Sequence, residues 1–219
     1  MAAKKHYSEL QLLENYRVAL TNVENQKEIA RTMAEFGYDT GAITQGKALL
    51  EATNQTFQLN KQEDVETFAT RVHFDAKVKG LAKAYNLHRK KAKVIFRNDP
   101  VTLQKLALTG STPSVYVKWI EAIKTFYLGI QDNPDIQAKL LRLRLTADDV
   151  TASLIALLET EVARAKYLRE KGESQEATQA KDAAFKQIDD WMSEFFAVAK
   201  IAMDDKPQLL ESLGILIRN

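Results

Sequence analysis

The chain contains no cysteine, and only 8 glycines and 4 prolines occur among its 219 residues. Without cysteine there is no disulfide, no thiolate zinc site and no cysteine nucleophile. Glycine and proline punctuate tight turns and short strands, so their scarcity favours long helices. The absences therefore exclude a disulfide-stabilised scaffold and predict an all-α fold.

The chain also lacks a strong net charge and a long hydrophobic run. Its formal net charge of +2 is too small to indicate a polyanionic partner for the whole molecule. The most apolar stretch, FFAVAKIAM at 195–203, is short and contains Lys200. The basic residues in MAAKKHYSEL are not followed by an apolar h-region. We therefore expect no membrane span, no secretory signal and a cytoplasmic location.

No linear motif of a known chemistry occurs. The sequence contains neither glycine-rich phosphate-binding pattern and no G-x-S-x-G nucleophile turn, and His6, His73 and His88 lie outside metal-binding spacings. Acidic neighbours such as Asp148 and Asp149 point about 100° apart on a helix, so they cannot face one substrate together. We therefore expect no enzymatic activity, no metal and no cofactor. His88 is expected to be a hydrogen-bonded core residue rather than a ligand or a general base.

What the chain does have is a hydrophobic pattern that recurs at an offset of about 107 residues. NDPVTLQKLAL at 98–108 and DDKPQLLESLG at 204–214 align under this offset, and apolar positions upstream of them align as well. We interpret the chain as two tandem, pseudo-repeated, up-and-down helical bundles. The predicted domains are 1–108 and 115–219, joined by the linker TGSTPS at 109–114. Because this linker is short, the two bundles are expected to pack together or to share a core.

In the first copy the pattern predicts three helical segments and a short closing helix. The first runs from about Ser8 to Val23 and continues, after a break, to about Phe36. Thr40 precedes a second helix, and Asn60 with Glu63 resembles an N-cap pair that opens a long helix over about 64–97. The segment NDPVTLQKLAL at 98–108, which contains a proline, predicts a helix break followed by a short amphipathic helix.

The second copy is predicted to repeat this series. Thr146 and Asp149 fit a capping box. The turn EKGE is predicted to precede a helix from about Ser174 to Met203. The segment DDKPQLLESLG at 204–214 again predicts a break followed by a short helix.

Charge is distributed unevenly between the copies. From Arg71 to Arg97 there are nine basic residues and one acid, whereas the corresponding stretch 178–204 has three basic and five acidic residues. Some of the basic residues recur at four-and-three spacing, on the helix surface away from the apolar line, and are expected to face solvent. We call five of them the basic stripe: Lys79, Lys83, Lys90, Lys93 and Arg97.

The basic stripe, within the helix 77–97, is compatible with several functions. It suits a phosphate backbone, an anionic membrane surface or an acidic protein, and it also suits a solvated face of snorkelling lysines. No aromatic residue is interleaved on this face to stack bases. Our leading hypothesis is a non-catalytic interaction or scaffolding module that binds another protein or itself. The alternative is a weak, sequence-independent nucleic-acid binder, and a third is a small-molecule enzyme or sensor with a pocket between the copies.

The segment DDWMSEFFAVAKIAMDDKPQLLESLGI at 189–215 resembles the closing segment of a group of uncharacterised bacterial all-helical proteins. The resemblance implies an all-helical fold and a bacterial, cytoplasmic origin. It implies no activity, cofactor or site residue.

Overall fold

The computed structural model describes residues 7–215, so His6 lies outside the described residues. Within this range the chain is helical and contains no strand, which confirms the all-α prediction. None of the helices described here is long and apolar enough to span a membrane. The elements are α1 (Glu9–Asn25), α2 (Lys27–Glu35), α3 (Thr40–Ile95), α4 (Pro100–Lys105), α5 (Tyr116–Gln131), α6 (Pro134–Leu141), α7 (Ala147–Ala202) and a 3₁₀ helix, η1 (Pro207–Leu213).

Two helices begin at capping boxes, in which side chains satisfy the unpaired N–H groups of the first turn. At α1 the backbone N–H of Gln11 donates to Ser8 Oγ, and the backbone N–H of Ser8 donates to Gln11 Oε1 at 3.0 Å. At α7 the predicted pair is confirmed, since Thr146 N–H donates to Asp149 Oδ2 at 2.9 Å and Asp149 N–H donates to Thr146 Oγ1 at 3.1 Å.

The predicted helix start near Asn60 and the predicted turn EKGE are both wrong, because α3 and α7 are each unbroken over 56 residues. Asn60 lies inside α3, and its Nδ2 donates to Thr178 Oγ1 on α7 at 3.0 Å. This contact satisfies the amide without ending the helix. Gly172 of EKGE lies inside α7, where a glycine costs stability relative to alanine but does not end the helix.

The element starts recur at one offset. α1 and α5, α2 and α6, α3 and α7, and α4 and η1 each begin 107 residues apart. Left-handed backbone recurs at the same offset, at Gly37 and Arg144 and at Ala107 and Gly214. Descent of the chain from a duplicated bundle stays a prediction.

The chain forms two compact units, and their limits differ from the predicted domains 1–108 and 115–219. Unit 1 comprises the chain up to Asp64 together with the chain from Glu173 onward, and unit 2 comprises Val65–Gly172. The predicted linker 109–114 therefore lies inside unit 2.

The limits differ because each core needs helices from both halves of the sequence. The core of unit 1 combines α1, α2 and the beginning of α3 with the end of α7 and η1. The core of unit 2 combines the end of α3 and the segment after α4 with α5, α6 and the beginning of α7. Neither half of the sequence therefore contains all the residues of one core.

Candidate binding faces of unit 2

All five residues of the basic stripe are exposed, as their spacing predicts. Among residues 7–215 none of the five forms an ion pair, whereas Lys77, near the stripe on α3, pairs with Glu159 at 2.8 Å. Lys93 Nζ donates to the carbonyl of Gly110 at 3.2 Å. The stripe therefore presents positive charge that no side chain of the described chain neutralises. Its role as a binding surface stays a prediction.

Two other cations of the same segment have structural contacts instead. Arg89 is only 6% exposed and donates to the carbonyls of Ala107 at 3.2 Å and Gly110 at 2.8 Å, just after α4. Lys91 Nζ donates to the carbonyl of Arg144, just after α6, at 2.9 Å. Cations are favourable at the negative ends of helices, so these two residues stabilise the turns of unit 2. Counting the charged residues from Arg71 to Arg97 does not distinguish these two structural cations from those of the basic stripe.

Aliphatic side chains lie between the stripe residues. Leu87 is 53% exposed and Val94 is 58% exposed. Leu87 follows Lys83 by four residues, and Val94 follows Lys90 by four, so cations and aliphatic groups alternate along one helix surface. The predicted stripe is therefore part of a mixed basic and aliphatic face. The three- and four-residue spacing that identified the lysines could have identified Leu87 and Val94 as well.

His88 is buried and hydrogen-bonded, as expected of a core histidine. It is 8% exposed, and its Nδ1 lies 3.0 Å from Tyr127 Oη. Burial lowers the pKa of His88, the nearby Asp149 carboxylate opposes this shift, and Lys91 adds to it. The imidazole is therefore favoured in its neutral form. Burial is also the main cause that raises the pKa of Tyr127 to about 12.

A groove of about 380 Å³ runs beside His88 between α3 and α7, entirely within unit 2. Its walls include small residues at helical spacing, Gly80 and Ala84 on α3 and Ala152 and Ala156 on α7. Its polar lining consists of Lys83, His88, Asp149 and Ser153. This groove is not predictable from the sequence, because the residues that line it lie about seventy positions apart on two helices.

No family model, curated protein or solved structure matches this chain. The roles considered for the stripe and the groove therefore rest on geometry and chemistry alone. The resemblance of the segment 189–215 to bacterial helical proteins stays a prediction.

Proposed function

We propose that this protein is a non-catalytic interaction module that binds an acidic partner protein through the basic stripe of α3. The observation that supports the proposal is the unneutralised charge of the stripe. Lys79, Lys83, Lys90 and Arg97 are exposed, and none has an ion-pair partner among the described residues. Such charge accelerates encounter with a surface of opposite sign and fixes the register of the complex.

The aliphatic groups of the same face favour a protein partner. Leu87 and Val94 are more than half exposed on α3, and each lies one helical turn after a cation, Lys83 or Lys90. A protein surface can cover these groups while its carboxylates meet the lysines, and burial of apolar area then adds to the charge complementarity.

A sequence-independent nucleic-acid binder is the second candidate, because the same cations could track phosphates. From Lys79 to Lys93 the helix α3 rises by roughly 21 Å at 1.5 Å per residue, and Arg97 lies just after its end at Ile95. Single-strand binders also present aromatic rings on which bases stack. The nearby rings of Tyr85 and Phe96 are buried in unit 2. This contrast ranks nucleic acid below an acidic protein.

The proposal also includes a bacterial, cytoplasmic setting. Its support is the resemblance of the segment 189–215 and the absence of cysteine from all 219 residues.

The experiment uses charge reversal with a matched control in the same unit. One variant changes Lys83, Lys90, Lys93 and Arg97 to Glu. The control variant changes four exposed lysines of unit 2 outside the stripe to Glu: Lys118, Lys124, Lys139 and Lys166. Both variants have the same net charge, and circular dichroism checks that both remain helical.

Two binding assays are then run on the wild type and both variants. In the first, cross-linking mass spectrometry of the protein in lysate maps bound proteins onto its surface. In the second, fluorescence anisotropy measures binding of labelled single- and double-stranded oligonucleotides at low and near-physiological salt.

The proposal expects an acidic protein to cross-link next to the stripe, and this contact to disappear only in the stripe variant. Oligonucleotide binding that decreases steeply with salt, and is lost only in the stripe variant, would replace the proposal with the nucleic-acid function. Equal behaviour of the two variants in both assays would remove the stripe as a binding surface.

A further inference from the structure

The groove beside His88 corresponds to a place that unit 1 fills with an aromatic ring. Under the 107-residue offset of the helices, Ala84 and Ser153 of unit 2 correspond to Trp191 and Gly46 of unit 1. In unit 1 the indole of Trp191 lies directly against Gly46, where a Cβ atom would come within 2.5 Å of the ring. In unit 2 the corresponding side chains are a methyl and a hydroxymethyl group. The groove of about 380 Å³ has these two residues in its walls.

The ring that supports the indole in unit 1 also has a counterpart. Trp191 stacks on Phe195 with ring centroids 5.6 Å apart and planes inclined by 11°. The position that corresponds to Phe195 is occupied by His88, which lines the groove. An imidazole offers a planar face for stacking as a phenyl ring does. Unit 2 therefore has a planar side chain at the position of Phe195, while Ala84 provides no ring of its own.

His88 also supplies a polar atom to the groove. Its Nδ1 is taken by Tyr127 Oη, and among residues 7–215 its Nε2 has no hydrogen-bond partner. The residue as a whole is 8% exposed, and Nε2 is available for a hydrogen bond with a ligand in the groove. Phe195 in unit 1 offers no such atom.

Two charged groups define which substituents a ligand can have. Lys83 is exposed, lines the groove and has no ion-pair partner among the described residues. The Asp149 carboxylate lines the groove too, and its Oδ2 accepts from Thr146 N–H and Oγ. An N–H group of a ring can donate to the Asp149 carboxylate, and an anionic substituent can pair with Lys83.

We propose that the groove of unit 2 binds a small aromatic acid, with a planar ring of about indole size, an N–H donor and an anionic substituent. The size of the ring is set by Trp191, which occupies the corresponding place in unit 1. The volume lies in the range of roughly 300–1,000 Å³ usual for small-molecule sites. The groove shares Lys83 and Leu87 with the face proposed for a protein partner, but binding of a small ligand to the purified chain does not require that partner.

The test is an NMR titration of the full chain with indole-3-acetate, read at the ring nitrogens of ¹⁵N-labelled histidine and at the backbone amides. Indole without the carboxylate is the matched ligand. The decisive variant is Ala84→Trp, which gives unit 2 the residue that unit 1 has. Ala152→Leu narrows the groove from its exposed wall, and it replaces Ala84→Trp if that variant fails to fold. Lys83→Gln tests the anion contact, and Lys79→Gln, on the same helix outside the groove, is its control.

The proposal expects saturable shifts centred on His88 and Ser153, which are lost in Ala84→Trp or Ala152→Leu. Lys83→Gln should weaken binding of indole-3-acetate by roughly two- to fivefold, as expected for an exposed ion pair, and should leave indole binding unchanged. Absence of saturation up to roughly 5 mM, the weak end of small-ligand affinity, would overturn the proposal. Unchanged binding in both groove-filling variants would overturn it as well. Equal binding of the two ligands would refute the anionic substituent.

Discussion

The helices of units 1 and 2 begin at corresponding positions, 107 residues apart. The side chains at some corresponding positions differ in size and polarity. Unit 1 sets Trp191 against Gly46 and stacks it on Phe195, so that aromatic carbon covers this part of the helix pair. Unit 2 has Ala84, Ser153 and His88 at the corresponding positions and has a groove there. The fold is therefore compatible with either a closed or an open surface at this point. What decides between them is the size of one residue on each long helix.

The buried cores of the two units also differ in which helix supplies the large aromatic side chains. On α5 of unit 2 the buried pair is Phe126 and Tyr127, whereas α1 of unit 1 has Ala19 and Leu20 at the corresponding positions. In unit 1 the rings of Trp191 and Phe195 lie on α7, and in unit 2 the rings of Phe126 and Tyr127 lie on α5. Cores tolerate such exchanges when the total volume and the pattern are maintained. Corresponding aromatic groups are thus supplied by different helices in the two units.

The largest expected effect comes from closing the space that Trp191 occupies. Gly46→Ala in α3 places a Cβ atom 2.5 Å from the indole, and overpacking of this kind costs roughly 1–3 kcal/mol. We expect the free energy of unfolding to fall by about 2 kcal/mol. Urea denaturation followed by circular dichroism measures it.

The control for this prediction repeats Gly46→Ala in a chain that lacks the indole ring of Trp191. In a Trp191→Ala background, Gly46→Ala should no longer destabilise and should raise the free energy of unfolding by about 1 kcal/mol, the helix propensity of alanine over glycine. If Gly46→Ala costs the same in both backgrounds, the contact with Trp191 does not cause the loss, and the contrast between the two units fails at this position.

A smaller effect concerns the left-handed residues after α4 and η1. Ala107 has φ of 51° and its counterpart Gly214 has φ of 78°. An alanine in this region is strained relative to glycine by roughly 1 kcal/mol. Ala107→Gly should therefore raise the free energy of unfolding by about 1 kcal/mol, and Gly214→Ala should lower it by a similar amount. No atom lies within 4 Å of a Cβ at position 214, so the loss there is a backbone effect.

Both variants are measured by urea denaturation, and hydrogen exchange read by mass spectrometry assigns each change to its unit. A change of the same sign in the two variants would show that these turns are not equivalent.

The smallest expected effect is the pH dependence contributed by His88. Burial lowers its pKa from the ordinary value of 6.5, so below that pH the unfolded chain binds more protons than the folded chain. Linkage then makes the free energy of unfolding rise with pH in this window, and His88 destabilises the protein as pH falls through 6.5. His88→Phe, which introduces the residue of unit 1, should flatten the profile between about pH 5.5 and about pH 7.5.

The profile is obtained from urea midpoints at several pH values, with His73→Gln as the control on an exposed histidine. The slope is compared rather than the absolute stability, because His88→Phe also deprives Tyr127 Oη of its partner. An unchanged slope would mean that the Asp149 carboxylate offsets the effects of burial and of Lys91 on the pKa of His88.

Local sequence signals predicted the fold well where a helix begins or where its surface faces water. Thr146 with Asp149 marked the start of α7, Thr40 marked the start of α3, and the spacing of the basic stripe placed it in solvent. These features depend on residues within one or two turns of one another.

Features that depend on distant residues were not predictable in the same way. Asn60 looked like a helix cap because the sequence does not reveal that Thr178 satisfies its amide. The limits of the two units followed from which half of the chain covers each apolar face, which periodicity alone does not specify. The groove needed Ala84 and Ser153 to be brought together from two helices.

The discontinuity of unit 1 has a consequence for synthesis of the chain on the ribosome. Unit 2 is continuous from Val65 to Gly172, so all of its core has been synthesised before the end of α7 is translated. Unit 1 needs Phe185, Met192 and Leu213 to complete its core. Its first helices must therefore wait, with their apolar faces uncovered, while more than a hundred further residues are added. The last residues to be synthesised complete the core around the first helices, and a nascent chain that stalls in α7 after Gly172 has one complete unit and one incomplete unit.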